Sequence, residues 1–308
     1  MIVVLTGGTG GAKLIEGLAA EIDPAELTII CNTGDDAIFY GLYVAPDLDT
    51  ITYTLAGLSD PTKGWGIQDD TFAVLEQLRC LGNDAWFKLG DKDLATHLTR
   101  TRLLNEGLTL SQVTEHIRRQ LGIKSRILPM SDQRVETRVQ TPRGEISFQE
   151  FFVKERWAPA VNSVYYNGAQ SAKPATDVLD AIDNAEAIVI CPSNPITSIG
   201  PILSVPGIRA CLEQARAPVI GVSPMIGAAA ISGPAHKLLI ASGFDASVVG
   251  VAKCYKNFLD TLMIADEDSA CRPLIEAFKI APVCADIRMA SVSDKRRLAR
   301  ELLALVQK

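Results

Sequence analysis

The run Thr6-Gly7-Gly8-Thr9-Gly10-Gly11 follows the apolar segment Ile2-Val3-Val4-Leu5 and leads into a helical pattern from about Ala12. Glycines let backbone N–H groups come close to an anion, and a helix N-terminus brings its positive end to the same point. Phosphate is the expected occupant, held by Gly7, Gly8, Thr9, Gly10, Gly11 and Lys13. The run lacks the Gly-Lys-Ser/Thr ending of a Walker A loop, and its glycine spacing is not G-x-G-x-x-G. A strand-to-helix turn without a ligand is the simpler alternative, but such a turn has little use for four glycines.

Acidic residues recur beyond the next apolar segments. Asp35 and Asp36 follow residues 27–31 through Asn32-Thr33-Gly34, and Asp47 and Asp49 lie in Ala45-Pro46-Asp47-Leu48-Asp49-Thr50. Carboxylates beside a phosphate repel it unless a cation bridges them, which makes Mg²⁺ the expected cofactor and Asp35, Asp36 and Asp49 its candidate ligands. Asp49 would serve equally as the cap of a helix starting near Thr50, and Asp35 or Asp36 as a turn residue. Lys88 lies among apolar neighbours in Trp86-Phe87-Lys88-Leu89, although a lone lysine is ordinarily a surface group. Asn32, Ser193, Asn194 and Ser198 stand near other strand ends and offer amides and hydroxyls to a nucleotide. The three histidines (His97, His116 and His236) have no metal-ligand spacing, and no G-x-S-x-G elbow is present. Metal-assisted phosphoryl transfer fits this set best, because it asks for positioning rather than covalent participants.

The elements that must position these residues read as α/β. Short, uniformly apolar runs at 2–5, 27–31, 187–191, 218–222 and 246–251 look like strands buried on both faces. Helical segments such as 206–216 and 233–242 lie between them, which predicts a doubly wound, mostly parallel Rossmann-like sheet. Ligands of such sheets bind beyond the carboxyl ends of the strands, where the polar and glycine-rich turns all fall. Helices are expected at 70–80, 92–104 and 110–121, the last with Ser111 as N-cap, and short strands at 134–140 and 145–148. Residues 58–160 therefore read as an inserted, mainly helical subdomain forming one wall of the cleft, with 1–57 and 161–308 as the nucleotide-binding core. The C-terminal stretch 293–306 reads as an amphipathic helix with a solvated basic face of Lys295, Arg296, Arg297 and Arg300.

At 308 residues, 47% hydrophobic and 21% charged, the chain can bury a large core. A net charge of −6 argues against nucleic acid or a membrane surface as partner and for small-molecule substrates. Seven scattered cysteines without a C-x-x-C pair read as reduced thiols. With no basic leader and no run long enough to span a membrane, the expected location is the cytoplasm. A homodimer is the default expectation.

Eight segments in order resemble the 2-phospho-L-lactate transferase (CofD) family: 5–14, 32–36, 46–50, 86–91, 129–132, 148–153, 192–201 and Gly233-Pro234. The resemblance covers essentially the whole chain. It implies the step that makes the first form of the deazaflavin coenzyme F-420. The terminal ribityl hydroxyl of the deazaflavin Fo would attack the lactyl-bearing phosphorus of lactyl-2-diphospho-5'-guanosine, and GMP would leave in a Mg²⁺-dependent reaction. Some relatives use an enolpyruvyl donor. Asp49 and Lys88 match the family's deazaflavin-binding aspartate and lysine, and Gly7 to Gly11 its phosphate-side loop. Asp49 is thereby the candidate catalytic residue, orienting or deprotonating the hydroxyl. A second resemblance, to the gluconeogenesis-factor (YvcK-like) regulators, rests on the Gly-Gly-Thr-Gly-Gly start and the Asn-Thr-Gly-Asp turn. It implies a nucleotide-sugar sensor without turnover.

Overall fold

The computed structural model describes residues 1–306. Seven parallel strands form the central sheet: β1 (Ile2–Thr6), β2 (Leu27–Cys31), β3 (Arg126–Pro129), β4 (Ala187–Ile190), β5 (Val219–Val222), β6 (Thr261–Ala265) and β7 (Ala281–Ala285). Their order across the sheet is β7-β6-β5-β4-β1-β2-β3. The winding therefore reverses between β1 and β4, which pair in register from Ile2 opposite Ala187 to Leu5 opposite Ile190. Both strands are buried throughout, and alternate side chains feed two apolar cores. Val3 and Leu5 enter one core, while Ile2 and Val4 enter the other. Uniform apolar runs are what two covered faces require.

Helices α1 (Gly8–Glu21), α2 (Pro46–Leu55), α3 (Ala73–Cys80), α4 (Asp93–Asn105) and α5 (Leu110–Gln120) follow the first two strands. α1 starts at Gly8, a turn earlier than the apolar pattern suggests, because Gly7 serves as an extended N-cap with φ −164°. The N-cap of α5 is Thr109, whose hydroxyl accepts from the Gln112 amide in a capping box. Ser111 instead donates to Asp132.

Residues 246–251 are not a strand. Ser247 caps a helix, Val248–Tyr255, on which Val248, Val251, Ala252 and Tyr255 are buried. That i, i+3, i+4, i+7 spacing is helical, and it was hidden inside a run of β-branched residues. The strand that takes its place is β6. The expected boundary at 58–160 also shifts, since β3 lies within that span yet forms the edge of the central sheet against β2. Strand Ser163–Asn167, expected in the core, pairs with the hairpin Glu136–Thr141 and Gly144–Ser147 in a separate three-stranded sheet.

The C-terminal helix Val292–Val306 packs on α1 through its apolar side, leaving Arg296 and Arg300 exposed as expected and Lys295 partly buried. Lys295 pairs with Glu16 at 2.6 Å and Arg296 with Glu21 at 2.6 Å. The two helices approach so closely that a Cβ on Gly17 would stand 2.3 Å from the Lys295 carbonyl oxygen. No helix among the described residues is long and apolar enough to cross a membrane.

Candidate active site

A cavity of about 790 Å³ opens beyond the carboxyl ends of β1 and β4, where the winding reverses. Its floor is the glycine loop. Gly8 has φ +70°, the left-handed conformation that glycine adopts without penalty. The other glycines answer to crowding: a Cβ on Gly7 would meet Asp47 Oδ2 at 2.5 Å, and one on Gly10 would meet the Pro192 carbonyl at 2.6 Å. The loop after β4 is tied to this floor, because Ser193 Oγ donates to the Gly7 carbonyl at 2.8 Å and accepts from its N–H at 3.3 Å. Asn194 Oδ1 accepts from the amides of Ile196 and Thr197 and so shapes the same loop. The first turn of α1 carries no acidic residue, and Lys13 projects into the cavity. This end of the site suits an anion.

α2 supplies the acidic wall. Pro46 fills its first position, and both Asp47 and Asp49 are buried in its first turn. Asn32 donates to Asp47 Oδ2 at 2.9 Å and to the Thr197 carbonyl, and accepts from the Gly34 amide. Burial raises the Asp47 carboxyl to about 6. Burial, followed by the charges of Asp47 and Asp36, lifts Asp35 well above the ordinary carboxylate range. Asp36 is raised chiefly by burial as well, and accepts a hydrogen bond from Tyr43 at 2.9 Å. The Oδ1 atoms of Asp35 and Asp36 are buried without a protein partner.

Asp49 is held differently. Both of its oxygens are bound by the guanidinium of Arg100, Nη1 reaching Oδ2 at 3.1 Å and Nη2 closing on Oδ1. Arg100 is 3% exposed and stands behind the cavity wall on α4. The same helix places His97 Nδ1 3.3 Å from Arg100 Nη1 and His97 Nε2 3.1 Å from Asp93, the latter close but out of line for a hydrogen bond. Tyr53 of α2 donates to Asp93 at 2.6 Å. Asp49, Tyr53, Asp93 and His97 all reach the cavity.

The far wall is aromatic. Phe39 and Phe87 stack at 3.9 Å between ring centroids, and Trp86 stands edge-on to both. Tyr40 donates to the Phe87 carbonyl at 2.8 Å, and the Lys154 ammonium lies 5.5 Å over Trp86. The segment carrying Lys88 is thereby pinned, with Phe87 and Leu89 buried and the lysine left exposed between them. Phe148 and Phe152 line the same cavity.

Of the residues expected from the sequence, Gly7, Gly8, Thr9, Gly10, Lys13, Asp35, Asp49, Lys88, Ser193, Asn194 and Ser198 line this one cavity. Gly11, Asn32 and Asp36 do not. Gly11 packs toward Thr6 and Ser193, and Asn32 is a fully bonded brace for Asp47. Asp36 accepts from Tyr43 through one oxygen and lies off the cavity, whereas Asp49 lines it with both oxygens already bound by Arg100. Asp47, expected among the strand-end acids but given no role, also lines the cavity, and the sequence assigned no role to Asp93, His97 or Arg100. The signal for the last three was their spacing on one face of a single helix.

The pattern of the family described as 2-phospho-L-lactate transferase CofD matches residues 2–303. A 2-phospho-L-lactate transferase from Methanococcoides burtonii is 40% identical over 304 residues, covering 99% of each chain. A phosphoenolpyruvate transferase from Streptomyces griseus is 44% identical over 314 residues, covering 99% of this chain and 98% of that protein. A UPF0052-family protein from Bacillus halodurans, known from its crystal structure, has a TM-score of 0.66 over 98% of this chain and 99% of that one. At 17% identity, that likeness shows the fold alone. Matched over nearly its full length by the family pattern and by these relatives, the chain belongs to the CofD family.

Proposed function

We propose that the protein joins the deazaflavin Fo to a phospho-acid carried by guanosine diphosphate, the acid being lactyl or enolpyruvyl. One observation carries this reading. A single cavity joins an anion-binding helix end to an aromatic wall that holds Lys88, with Asp49 beside it. The relatives named as 2-phospho-L-lactate and phosphoenolpyruvate transferases, both at 40% identity or more, support either acid. They do not favour a nucleotide-sugar sensor.

In this reading the N-terminus of α1 and Lys13 hold the diphosphate, and Lys88 contacts the deazaflavin between the aromatic walls. The terminal hydroxyl of Fo attacks the acid-bearing phosphorus. A new P–O bond forms, the bond to the GMP oxygen breaks, and a phosphodiester and GMP result. Asp49 orients the hydroxyl and receives its proton. In a loose phosphoryl-transfer transition state the hydroxyl becomes acidic only as the new bond forms, so a carboxylate held by an arginine is base enough.

A divalent cation fits Asp35 and Asp47. Both face the cavity, both are buried with little positive charge near them, and Asp35 keeps an unpartnered oxygen. Two carboxylates with substrate oxygens and water are what Mg²⁺ commonly uses, and bound there it would offset the charge on the phosphoryl oxygens. Among the described residues no group of three or more metal-ligating side chains is assembled, so the substrate must complete such a site.

The test is turnover of purified protein with Fo, Mg²⁺ and either lactyl-2-diphospho-5'-guanosine or its enolpyruvyl analogue, reading GMP release and product mass. Product from one donor supports the reading and names the acid. No product from either, with no thermal shift from Fo or GDP, would overturn it.

A further inference from the structure

Three cations on the cavity wall, Lys13, Lys88 and Arg156, have no ion-pair or hydrogen-bond partner among the described residues. A fourth, Arg288, is paired with Glu267 and Asp286. Lys13 belongs to the phosphate end, and Lys88 to the deazaflavin wall. Arg156 has no task in the reaction as written so far.

Its backbone is unusual. After a single π-helical turn, Glu150–Lys154, both Arg156 and Trp157 take left-handed conformations, with φ of 49° and 48°. Two such residues in a row, neither a glycine, cost free energy and persist only where surrounding structure enforces them. The enforcement is visible. The Trp157 amide donates to the Phe151 carbonyl at 2.8 Å, and its ring packs 5.1 Å from Phe152. The Lys237 ammonium donates to the carbonyls of Trp157, Ala158 and Pro159 at 2.6, 3.3 and 3.0 Å. The clamp fixes the backbone beside an exposed, unpaired arginine that lines the cavity the substrates share.

We infer that Arg156 is the recognition residue for the carboxylate of the transferred acid. The inference rests on the transfer proposed above. The donor carries two phosphates, for which the α1 N-terminus and Lys13 suffice, and one carboxylate, for which no other free cation remains. A guanidinium suits it, because its planar fork binds a carboxylate through two parallel hydrogen bonds. The residue therefore sets donor specificity, separating an acid-bearing guanosine diphosphate from GDP itself.

Calorimetry in the presence of Mg²⁺ and the absence of Fo tests this, with GDP and lactyl-2-diphospho-5'-guanosine as probes. Wild-type protein should bind the donor more tightly than GDP. Arg156→Gln should weaken the donor at least tenfold while leaving GDP within twofold, and Arg156→Lys should recover only part of the loss. Lys237→Ala, which removes the clamp without touching the ligand, should weaken the donor by a smaller factor and spare GDP. Unchanged donor affinity in Arg156→Gln would overturn the assignment, as would an equal loss for GDP, which would place Arg156 on the diphosphate. Wild-type protein that binds neither probe would instead overturn the transfer itself.

Discussion

A carboxylate can orient a hydroxyl only if it is itself held still, and Arg100 holds Asp49 by both oxygens from behind the cavity wall. Arg100→Lys keeps the charge but loses the fork, so kcat should fall at least tenfold while GDP affinity stays within twofold. Asp49→Asn should lower kcat further. Because Arg100 acts through Asp49, the double variant should be no slower than Asp49→Asn alone, and additive losses would show that Arg100 has an independent task. Gly7→Ala tests the floor of the site. Its methyl group would stand 2.5 Å from Asp47 Oδ2, so stability should fall by about 1–3 kcal/mol, read from urea unfolding, and GDP should produce a smaller thermal shift. At this scale the places of the glycine loop, Asp49 and Lys88 on the cavity wall were legible, the loop from its run of glycines and the other two from short motifs that resemble the family's. Arg100 and His97 were not, since they gain meaning only when α4 folds over α2. Asn32 misled for the converse reason: a polar residue at a strand end looks the same whether it meets a ligand or braces a neighbour.

Helices carry their own tests. In an open helix, alanine in place of glycine stabilises by about 1 kcal/mol. At Gly17 the sign should reverse, because the new Cβ would lie 2.3 Å from the Lys295 carbonyl, and the melting temperature of Gly17→Ala should drop by a few degrees. On α5, hydrogen bonds from Arg118 first, then Arg119, hold the Glu115 carboxyl down to about 2. A carboxyl lowered on folding stabilises above its unfolded value of about 4.5 and loses that contribution as pH falls toward 2. Glu115 is partly exposed, so the difference in urea midpoint between wild type and Glu115→Gln should be small at pH 7, and it should shrink below pH 4.5. Strands β1, β2, β4 and β5 could be read directly, because strands covered on both faces are apolar at every position. The same rule produced the error at 246–251, where Val248, Val249 and Val251 are β-branched but Ser247 caps a helix. β3 went unread because an edge strand of four residues, begun by Arg126 and ended by Pro129, carries too short an apolar run.

The whole molecule is organised around the point where its sheet changes winding direction. There the loops after β1 and β4 are bonded to each other through Ser193 and Gly7, while α2, α4 and the aromatic segments supply the remaining walls. Doubly wound topology was legible from the alternation of elements, but the cavity's walls were not, because they come from stretches far apart in sequence. Removing residues 292–306 should be severe, since Leu298, Ala299 and Leu302 are fully buried in the same core as Leu14, Ile15 and Leu18 of α1. Such a truncated chain should aggregate in size-exclusion chromatography and show no thermal shift with GDP. The packing of that C-terminal helix on α1 also bears on how the protein is made. The anion site is encoded nearly three hundred residues before the helix that backs it, so the helix whose N-terminus forms the site stays uncovered on one side until residues near 302 have emerged. A chain stalled during translation has all of its phosphate loop and no firm scaffold beneath it, so ligand binding becomes a property of the finished chain rather than of the segment that carries the motif.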